Sequence, residues 1–306
     1  MIVVCVIFVL SNLTLIQTCQ DDVKPIRMTY SLFTTAYQNF EVIEDTVVRN
    51  LEGRNCVSID LQSNRELCNK MFDLSNFTQL TIMGDITATI EQHFLENSDL
   101  DCLDSLIIRG TQISTIRTHT FRNLSVETIG MSANDLKIIE KEAFLDLPKL
   151  KEVDLSVNKI TNLRTDFFAR VPNLAQLDMG RNLVAILRKK SLDFLRENPA
   201  KEVDLNLEKN CIEVLEVGVF DGLTFSRVWL VDNLIRDLSD EFLYGCFSIE
   251  SIGFADNPLS VKARQKLSLW LLRHNITADV PDFVDVKKSN LVLIAIMTFL
   301  VCLEFQ

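Results

Sequence analysis

The sequence predicts an α/β solenoid of about nine turns, in which successive turns of chain stack and each adds one strand to a parallel sheet. Polar residues recur through the middle of the chain at a spacing of about 24 residues, which is typical of such repeats. We call these residues the anchors: Asn64, Asp85, Thr111, Asn134, Asn158, Asn182, Asn210, Asn233 and Asn257. The positions three and five residues before every anchor are apolar. Two apolar residues that are two positions apart, once in every repeat of about 24 residues, predict one short strand in each turn.

The strand of each turn is predicted to bury one face. Val153 and Leu155, which precede Asn158, are two residues apart and therefore point to the same side of a strand. One turn cannot bury that side alone, so neighbouring turns must share a continuous core. With these anchors, Ile59 and Leu80 occupy equivalent positions in adjacent turns.

Each anchor is predicted to lie where the chain leaves its strand. An Asn amide can both donate to and accept from backbone groups that the bend would otherwise leave unpaired. Asp85 and Thr111 can fill this role only in part, so we expect the N-terminal turns to be less regular.

The convex side of each turn is predicted to place a large apolar residue inward, ten positions after the anchor. These residues are Phe121, Phe144, Phe168, Leu192, Phe220 and Leu243. The long turn between Asn182 and Asn210 holds a predicted short helix over residues 189–197, followed by a turn at Asn198-Pro199. Either 203–205 or 205–207 is the strand that follows.

Together these positions resemble extracellular leucine-rich repeats, and the resemblance covers roughly residues 56–275. It implies a leucine-rich-repeat horseshoe with a parallel concave sheet and a helical C-terminal cap. Residues 258–276 fit such a capping helix, because Leu267, Trp270 and Leu271 share one helix face. The cysteines that are usual in that cap are not in this segment.

The two ends of the chain are apolar. Residues 1–20 carry no charged side chain and predict a signal peptide, and residues 21–55 are assigned to an N-terminal cap region. The predicted repeats span 56–257, and a polar spacer over 277–290 leads to a hydrophobic tail over 291–306. This C-terminal pattern is typical of a signal for a glycolipid (GPI) anchor. A short uncleaved anchor and a disordered apolar tail are the alternatives.

Three Asn-x-Ser/Thr triplets predict N-glycosylation at Asn76, Asn123 and Asn275. Removal of both ends would leave an odd number of cysteines, of which Cys56 and Cys68 are the predicted disulfide. At least one thiol would then be free or would link two chains as a dimer. These features predict an extracellular protein, either secreted or anchored to the outer surface of the cell through its tail.

The sequence argues against several classes of function. The formal net charge of −11 argues against nucleic-acid binding, which requires clustered Lys and Arg. The chain has no GxSxG, phosphate-loop or HExxH motif, so we expect no enzyme activity and no cofactor. The three histidines are scattered and no CxxC pair occurs, which argues against a zinc site.

The concave strand face is the predicted ligand-binding surface, because it is the usable surface of a solenoid. Its outward positions include Glu152, Asp154, Asp178, Asp204, Arg227 and Trp229. The central turns are thus acidic, with an aromatic residue beside them. We expect an extracellular protein or glycan partner that presents cations, with Trp229 as its hydrophobic contact. A merely soluble acidic face, with Trp229 packed on its neighbours, is the alternative.

Two functions fit this plan. The signal-like start and the handful of repeats resemble insect leucine-rich immune proteins of the type without a coiled coil, which implies recognition in innate immunity. The hydrophobic tail instead favours a GPI-anchored protein of cell adhesion or guidance. An inhibitor of a secreted enzyme fits the scaffold equally well, with no particular sequence support.

Overall fold

The computed structural model describes residues 42–43, 46–49, 56–61, 79–84, 89–90, 92, 94, 103–197, 202–243, 248–274 and 276–279. The strands of these residues are β1 (Val42–Ile43), β2 (Thr46–Arg49), β3 (Cys56–Leu61), β4 (Gln79–Gly84), β5 (Thr89–Ile90), β6 (Ser105–Ile108), β7 (Thr115–Ile116), β8 (Phe121–Arg122), β9 (Thr128–Gly130), β10 (Ile138–Ile139), β11 (Phe144–Leu145), β12 (Glu152–Asp154), β13 (Phe168–Ala169), β14 (Gln176–Asp178), β15 (Ile186–Leu187), β16 (Val203–Asn206), β17 (Val214–Leu215), β18 (Thr224–Trp229), β19 (Ser248–Gly253) and β20 (Thr277–Asp279). The helices are α1 (Asp240–Leu243) and α2 (Val261–His274), and the 3-10 helices are η1 (Thr165–Phe167) and η2 (Asp193–Glu197).

One large sheet runs through the solenoid in the order β1-β2-β3-β4-β6-β9-β12-β14-β16-β18-β19-β20. Strands β1, β2 and β3 pair antiparallel, and every later neighbour in this sheet pairs parallel. Val153 pairs with Leu177, which in turn pairs with Leu205. Leu205 pairs with Val228, so the predicted common ladder is confirmed.

The predicted strand before each anchor is present in all nine turns, from β3 to β19. One further strand, β20, pairs parallel with β19 after the chain has passed through α2. It takes up the first three residues of the segment that the sequence assigned to a polar spacer.

The register of the first turn differs from the prediction. Ile59 pairs with Ile82, and Val57 pairs with Leu80, so the predicted equivalence of Ile59 and Leu80 is wrong by two residues. The prediction erred by an even number of residues because side chains of a strand repeat with a period of two, so both frames keep the same apolar alternation in the sequence. In the long turn, β16 spans Val203–Asn206, and Leu205 keeps the register of the repeat frame. Toward the next strand the register shifts by one residue between Val203 and Asp204, where Ser226 is the extra residue of β18.

The anchor asparagines join neighbouring turns as predicted. The Asn158 Oδ1 accepts from Leu136 N of the preceding turn at 3.0 Å. Its Nδ2 donates to Met131 O of that turn at 2.9 Å and to Leu155 O of its own turn at 3.0 Å. Equivalent bonds occur at Asn182, Asn210, Asn233 and Asn257. One buried amide therefore satisfies backbone groups of two turns.

Thr111 replaces the asparagine by a different route. Its hydroxyl accepts from Ile113 N at 3.3 Å and donates to Asn134 Oδ1 at 2.6 Å. The backbone N–H of Thr111 donates to the same Asn134 oxygen at 2.8 Å. The Thr111 side chain therefore bonds to the following turn, whereas the anchor asparagines bond to the preceding one. Asn134 Nδ2 donates to Ile108 O of the Thr111 turn at 2.8 Å.

The residue before each described anchor has a left-handed backbone, a feature that the sequence analysis missed. These residues are Gly110, Ala133, Val157, Arg181, Lys209, Asp232 and Asp256, with φ between 52 and 65°. Only Gly110 adopts this conformation at little cost. Val157 is β-branched and carries the largest steric penalty among them.

The convex side is held by short parallel strands and stacked rings. Strands β5, β7 and β10 form one small sheet, β8, β11 and β13 a second, and β15 with β17 a third. Phe121, Phe144 and Phe168 stack with centroids 5.2 and 4.9 Å apart, as the Phe column predicted. Leu192 is fully buried, as predicted, and the ring stack continues to Phe194, whose centroid lies 4.6 Å from that of Phe168. Phe242 packs against Phe220, with ring centroids 5.8 Å apart, and the predicted inward position of Leu243 stays a prediction.

Helix α2 lies within the residues predicted as a capping helix. Ser260 begins it by accepting from Ala263 N at 3.1 Å. Leu267, Trp270 and Leu271 are buried, on the face that the sequence assigned to the core. That this helix serves as the terminal cap stays a prediction.

Several predicted features lie outside the described residues: the signal peptide, the hydrophobic tail, Cys68, Asn76 and Asn275. Cys56 begins β3, and its predicted bond to Cys68 stays a prediction. Asn123 is exposed. Among the described helices, none has the length and apolar content needed to cross a bilayer.

Replacement of a buried anchor should destabilise the fold. We expect Asn182→Ala to lower the free energy of unfolding by about 1–3 kcal/mol, because the Ile160 N–H and the Leu155 carbonyl lose their partner. Denaturant unfolding measures the change. Asn162→Ala is the matched control, since the Asn162 side chain is exposed and bonds only weakly to Thr161 at 3.5 Å. Equal effects of the two substitutions would contradict the role of the anchors.

Candidate functional site

The outward residues of the concave sheet form columns that run across the turns. Asp154 pairs in register with Asp178, Asp178 with Asn206, and Asn206 with Trp229. Adjacent strands lie about 4.8 Å apart, so these side chains are immediate neighbours. We call these four residues the central column. The fold thereby brings together three of the predicted site residues.

The polar members of the central column are held by the backbone just beyond their strands. Asp154 accepts from Ser156 N at 2.9 Å, and Asp178 accepts from Gly180 N at 2.8 Å. Each bond leads from a side chain to the backbone two residues on, which is a local turn that Asp favours. The carboxylates are therefore held in fixed orientations along the face.

Asn206 completes this arrangement, although the prediction did not single it out. Its Oδ1 accepts from Glu208 N at 2.9 Å, and its Nδ2 donates to the Asp178 carboxylate at 3.2 Å. A methyl group in place of the Gly180 hydrogen would lie 3.1 Å from Asp178 Oδ1 and 3.2 Å from Asn206 Nδ2. The absence of a side chain at Gly180 thus leaves room for the contact between Asp178 and Asn206.

Burial raises the pKa of the Asp178 carboxyl above its ordinary value. The bonds from Gly180 N and Asn206 Nδ2 oppose this shift, whereas the negative charges of Asp154 and Glu208 add to it. An approaching cation would stabilise the ionised carboxylate, because its attraction offsets the cost of burial and the repulsion from the neighbouring charges.

Asp204 and Arg227 stand beside the central column and neutralise each other. Arg227 Nε donates to Asp204 Oδ1 at 3.1 Å, and a second guanidinium nitrogen donates to Oδ2, so the pair is bidentate. The bond to Asp204 raises the pKa of Arg227. Of the predicted acidic residues, Asp204 forms an ion pair, whereas Glu152, Asp154 and Asp178 form none with the side chains that the structure describes.

Trp229 is half-buried, and its ring covers Gly253 of the next strand. A methyl group at Gly253 would lie 2.5 Å from Trp229 Cε3 and 2.8 Å from Val231 Cγ2. The ring thus packs on neighbouring residues, which was the alternative to a ligand contact, while part of it still faces outward. It lies directly across the strand pair from Asn206.

The described residues contain no group of three or more His, Cys, Asp or Glu side chains placed to hold a metal ion. Cys211, which follows Asn210, is a free thiol that is partly exposed.

Comparisons with known proteins agree with this architecture. A family model described as leucine rich repeat matches residues 101–160 and 148–197. The fold is a leucine-rich-repeat horseshoe. No curated protein matches the sequence.

Two solved structures are similar to the chain. TLR13 in complex with ssRNA13 superposes with a TM-score of 0.57 and 20% identity, over 68% of this chain and 29% of that one. Mouse RP105 in complex with MD-1 superposes with a TM-score of 0.52 and 16% identity, over 72% of this chain and 42% of that one. The chain thus spans less than half the length of either relative, and the likeness is one of fold.

The pKa of Asp178 offers a direct test of the site. We expect its carboxyl to titrate above an ordinary aspartate, and Asp154→Asn to lower the midpoint because a neighbouring negative charge is removed. In the wild type, the stability contribution of this carboxyl is present below the ordinary pKa and is lost as pH rises through the raised one. NMR titration of the side-chain carboxyl measures both midpoints, and an unchanged midpoint in the variant would refute the coupling.

Proposed function

We propose that the protein is an extracellular binding protein, not an enzyme, and that its concave face recognises a protein or glycan partner that presents cations. The observation that carries this proposal is the central column. Two carboxylates, Asp154 and Asp178, stand side by side with fixed orientations, and Trp229 ends the same column.

The chemistry of the column supports a cationic partner. Glu152 and Glu208 flank the two aspartates. The positive charge of the nearby Arg227 is already bound to Asp204. A Lys or Arg side chain of a partner would relieve the repulsion between the carboxylates. The outward part of the Trp229 ring offers an apolar contact next to them, as aromatic residues do at binding hot spots.

Nucleic acid is not the partner in this proposal. The TLR13 relative holds a single-stranded RNA, but an acidic column repels phosphates, and the formal charge of −11 adds to that repulsion.

The proposal predicts that Asp154→Lys and Asp178→Lys combined with Trp229→Ala weaken partner binding more than tenfold, since an aromatic anchor alone contributes about 2 kcal/mol. Partners are first captured from extracellular fluid on the full chain, and their affinity is then measured for wild type and variant. Added salt should slow association with the wild type, because it screens the attraction.

The control variant changes the charge equally elsewhere. Glu241→Lys with Asp256→Lys alters two exposed carboxylates outside the central column. Asp256 has a left-handed backbone that Lys209 also adopts, so the backbone accepts a lysine there. Equal loss in both variants would reduce the effect to net charge, and no loss in the first would end the proposal.

We further propose a role in innate immunity, on the resemblance to insect leucine-rich immune proteins. A GPI-anchored protein of adhesion or guidance is the alternative, and the apolar run from Leu291 to Leu303 after a polar stretch favours it.

Treatment of expressing cells with a phosphatidylinositol-specific phospholipase separates the two functions. Release of the protein into the medium is expected of the anchored form. Abundant free protein before treatment, with no increase after it, is expected of the secreted form.

A further inference from the structure

In the described turns, the residue directly after the anchor lies on one side of the solenoid, between the concave and convex faces, and is at least partly exposed. In three consecutive turns this position holds Leu183, Cys211 and Leu234. Leu183 and Leu234 are 46 and 45% exposed, and Cys211 between them is partly exposed. We call these three residues the lateral ridge. The two leucines lie two turns apart, and the Cys211 side chain between them makes the apolar surface continuous.

The backbone holds the lateral ridge in line. Leu183 N donates to Ile160 O at 2.9 Å, Cys211 N to Val184 O at 3.0 Å, and Leu234 N to Ile212 O at 2.9 Å. Each turn is thus bonded to the preceding one at the same position, so the three side chains stack at about the strand spacing of 4.8 Å.

Charged residues flank the lateral ridge in a definite pattern. On its concave side lie Lys209 and Asp232, one residue before their anchors, and on its convex side lie Glu213 and Arg236, three residues after them. All four are exposed. Within each of these two turns, opposite charges therefore stand on opposite sides of the ridge.

This pattern is complementary to itself. A two-fold axis along the ridge keeps each turn opposite the same turn of a second copy and exchanges the concave and convex sides. It brings Lys209 against Glu213 of the second copy, and Asp232 against Arg236 of the second copy. Each contact occurs twice, as an isologous interface requires. We propose that the lateral ridge is the docking surface for a second copy of this chain.

The charges select this axis over the other one in the same plane. An axis perpendicular to the ridge would place Lys209 against Lys209 of the second copy, and Glu213 against Glu213 of the second copy. Both contacts are repulsive. The exposed Arg181 would meet Asp232 favourably, but the four favourable pairs of the first axis would be lost. In the chosen arrangement, Lys209 leaves only a weak exposed contact with Glu208, at 3.5 Å.

The contact is limited in length. The ridge position of the preceding turn is Lys159, which pairs with Asp135 at 2.7 Å, and that of the following turn is Pro258. Because the two-fold axis exchanges the concave and convex sides, the two copies curve in opposite directions. They therefore separate beyond these turns. Such an interface is smaller than the 20–30 residues a side of a typical stable complex, so its non-covalent affinity is weak.

Cys211 lies at the centre, opposite Cys211 of the second copy. Thiol–disulfide exchange with oxidised glutathione would join the two sulfurs. The two thiols lose two protons and two electrons, and the glutathione disulfide is reduced to two thiols. The link is therefore a reporter of the arrangement as well as a means of securing it.

The test equilibrates the full chain with oxidised and reduced glutathione and measures the disulfide-linked dimer on a non-reducing gel and by sedimentation. We expect a dimer in the wild type and a monomer on the gel for Cys211→Ser. Leu183→Asp with Leu234→Asp should reduce the linked fraction several-fold. Ile138→Asp, at an exposed apolar position outside the ridge, should leave the fraction unchanged.

Charge exchange tests the axis. Asp232→Arg and Arg236→Asp should each weaken association, by about tenfold if the lost pairs and new repulsions amount to 1.4 kcal/mol. The double variant should restore the wild-type dimer, because the two charges have changed places across the two-fold axis. A monomeric wild type, a dimer that survives the leucine substitutions, or a double variant without recovery would each overturn the proposal.

Discussion

The structure depends on one interaction, the bond between a buried asparagine amide and the backbone of two adjacent turns. The bend after each strand leaves carbonyl and N–H groups in the interior, where unpaired polar groups are costly. At Asn158 the same side chain satisfies Met131 O and Leu136 N of one turn and Leu155 O of the next. Because the bond joins turns, it sets the register of the sheet as well as the bend.

The fixed register places side chains from different turns beside one another on the concave face. No single turn contains more than part of the central column, since Asp154, Asp178 and Trp229 come from three different turns. Their positions relative to one another follow from the ladder beneath them, where Val153, Leu177 and Val228 are fully buried. The apolar core therefore positions the polar surface, and local turns such as that from Asp178 to Gly180 orient its side chains.

The sequence predicted the regular part of this architecture because its signals are local. A polar anchor and apolar residues at fixed offsets require no knowledge of distant contacts. The first turn failed because Val57, Ile59 and Leu61 alternate, and a shift by two residues preserves an alternating pattern. Leu192 is buried as predicted, but the contact of Phe194 with Phe168 was missed because Phe194 lies in the 3-10 helix η2, outside the repeat frame. The ion pair of Asp204 with Arg227 and the environment of Asp178 depend on distances between turns, which residue types alone do not give.

The short strands on the back of the solenoid have a consequence for what fits its front. An arc closes tightly only if its outer edge spreads more than its inner edge. Here β8, β11 and β13 bond turn to turn on the outer edge, so the outer spacing there equals the inner one. The outer bonding at β13 gives way to η2 in the longest turn, which lies between Asp178 and Asp204. The sheet is therefore expected to curve little across the turns of Asn134 and Asn158, so the concave face is shallow there. Strands β15 and β17 continue the outer bonding between the turns of Asn182 and Asn210.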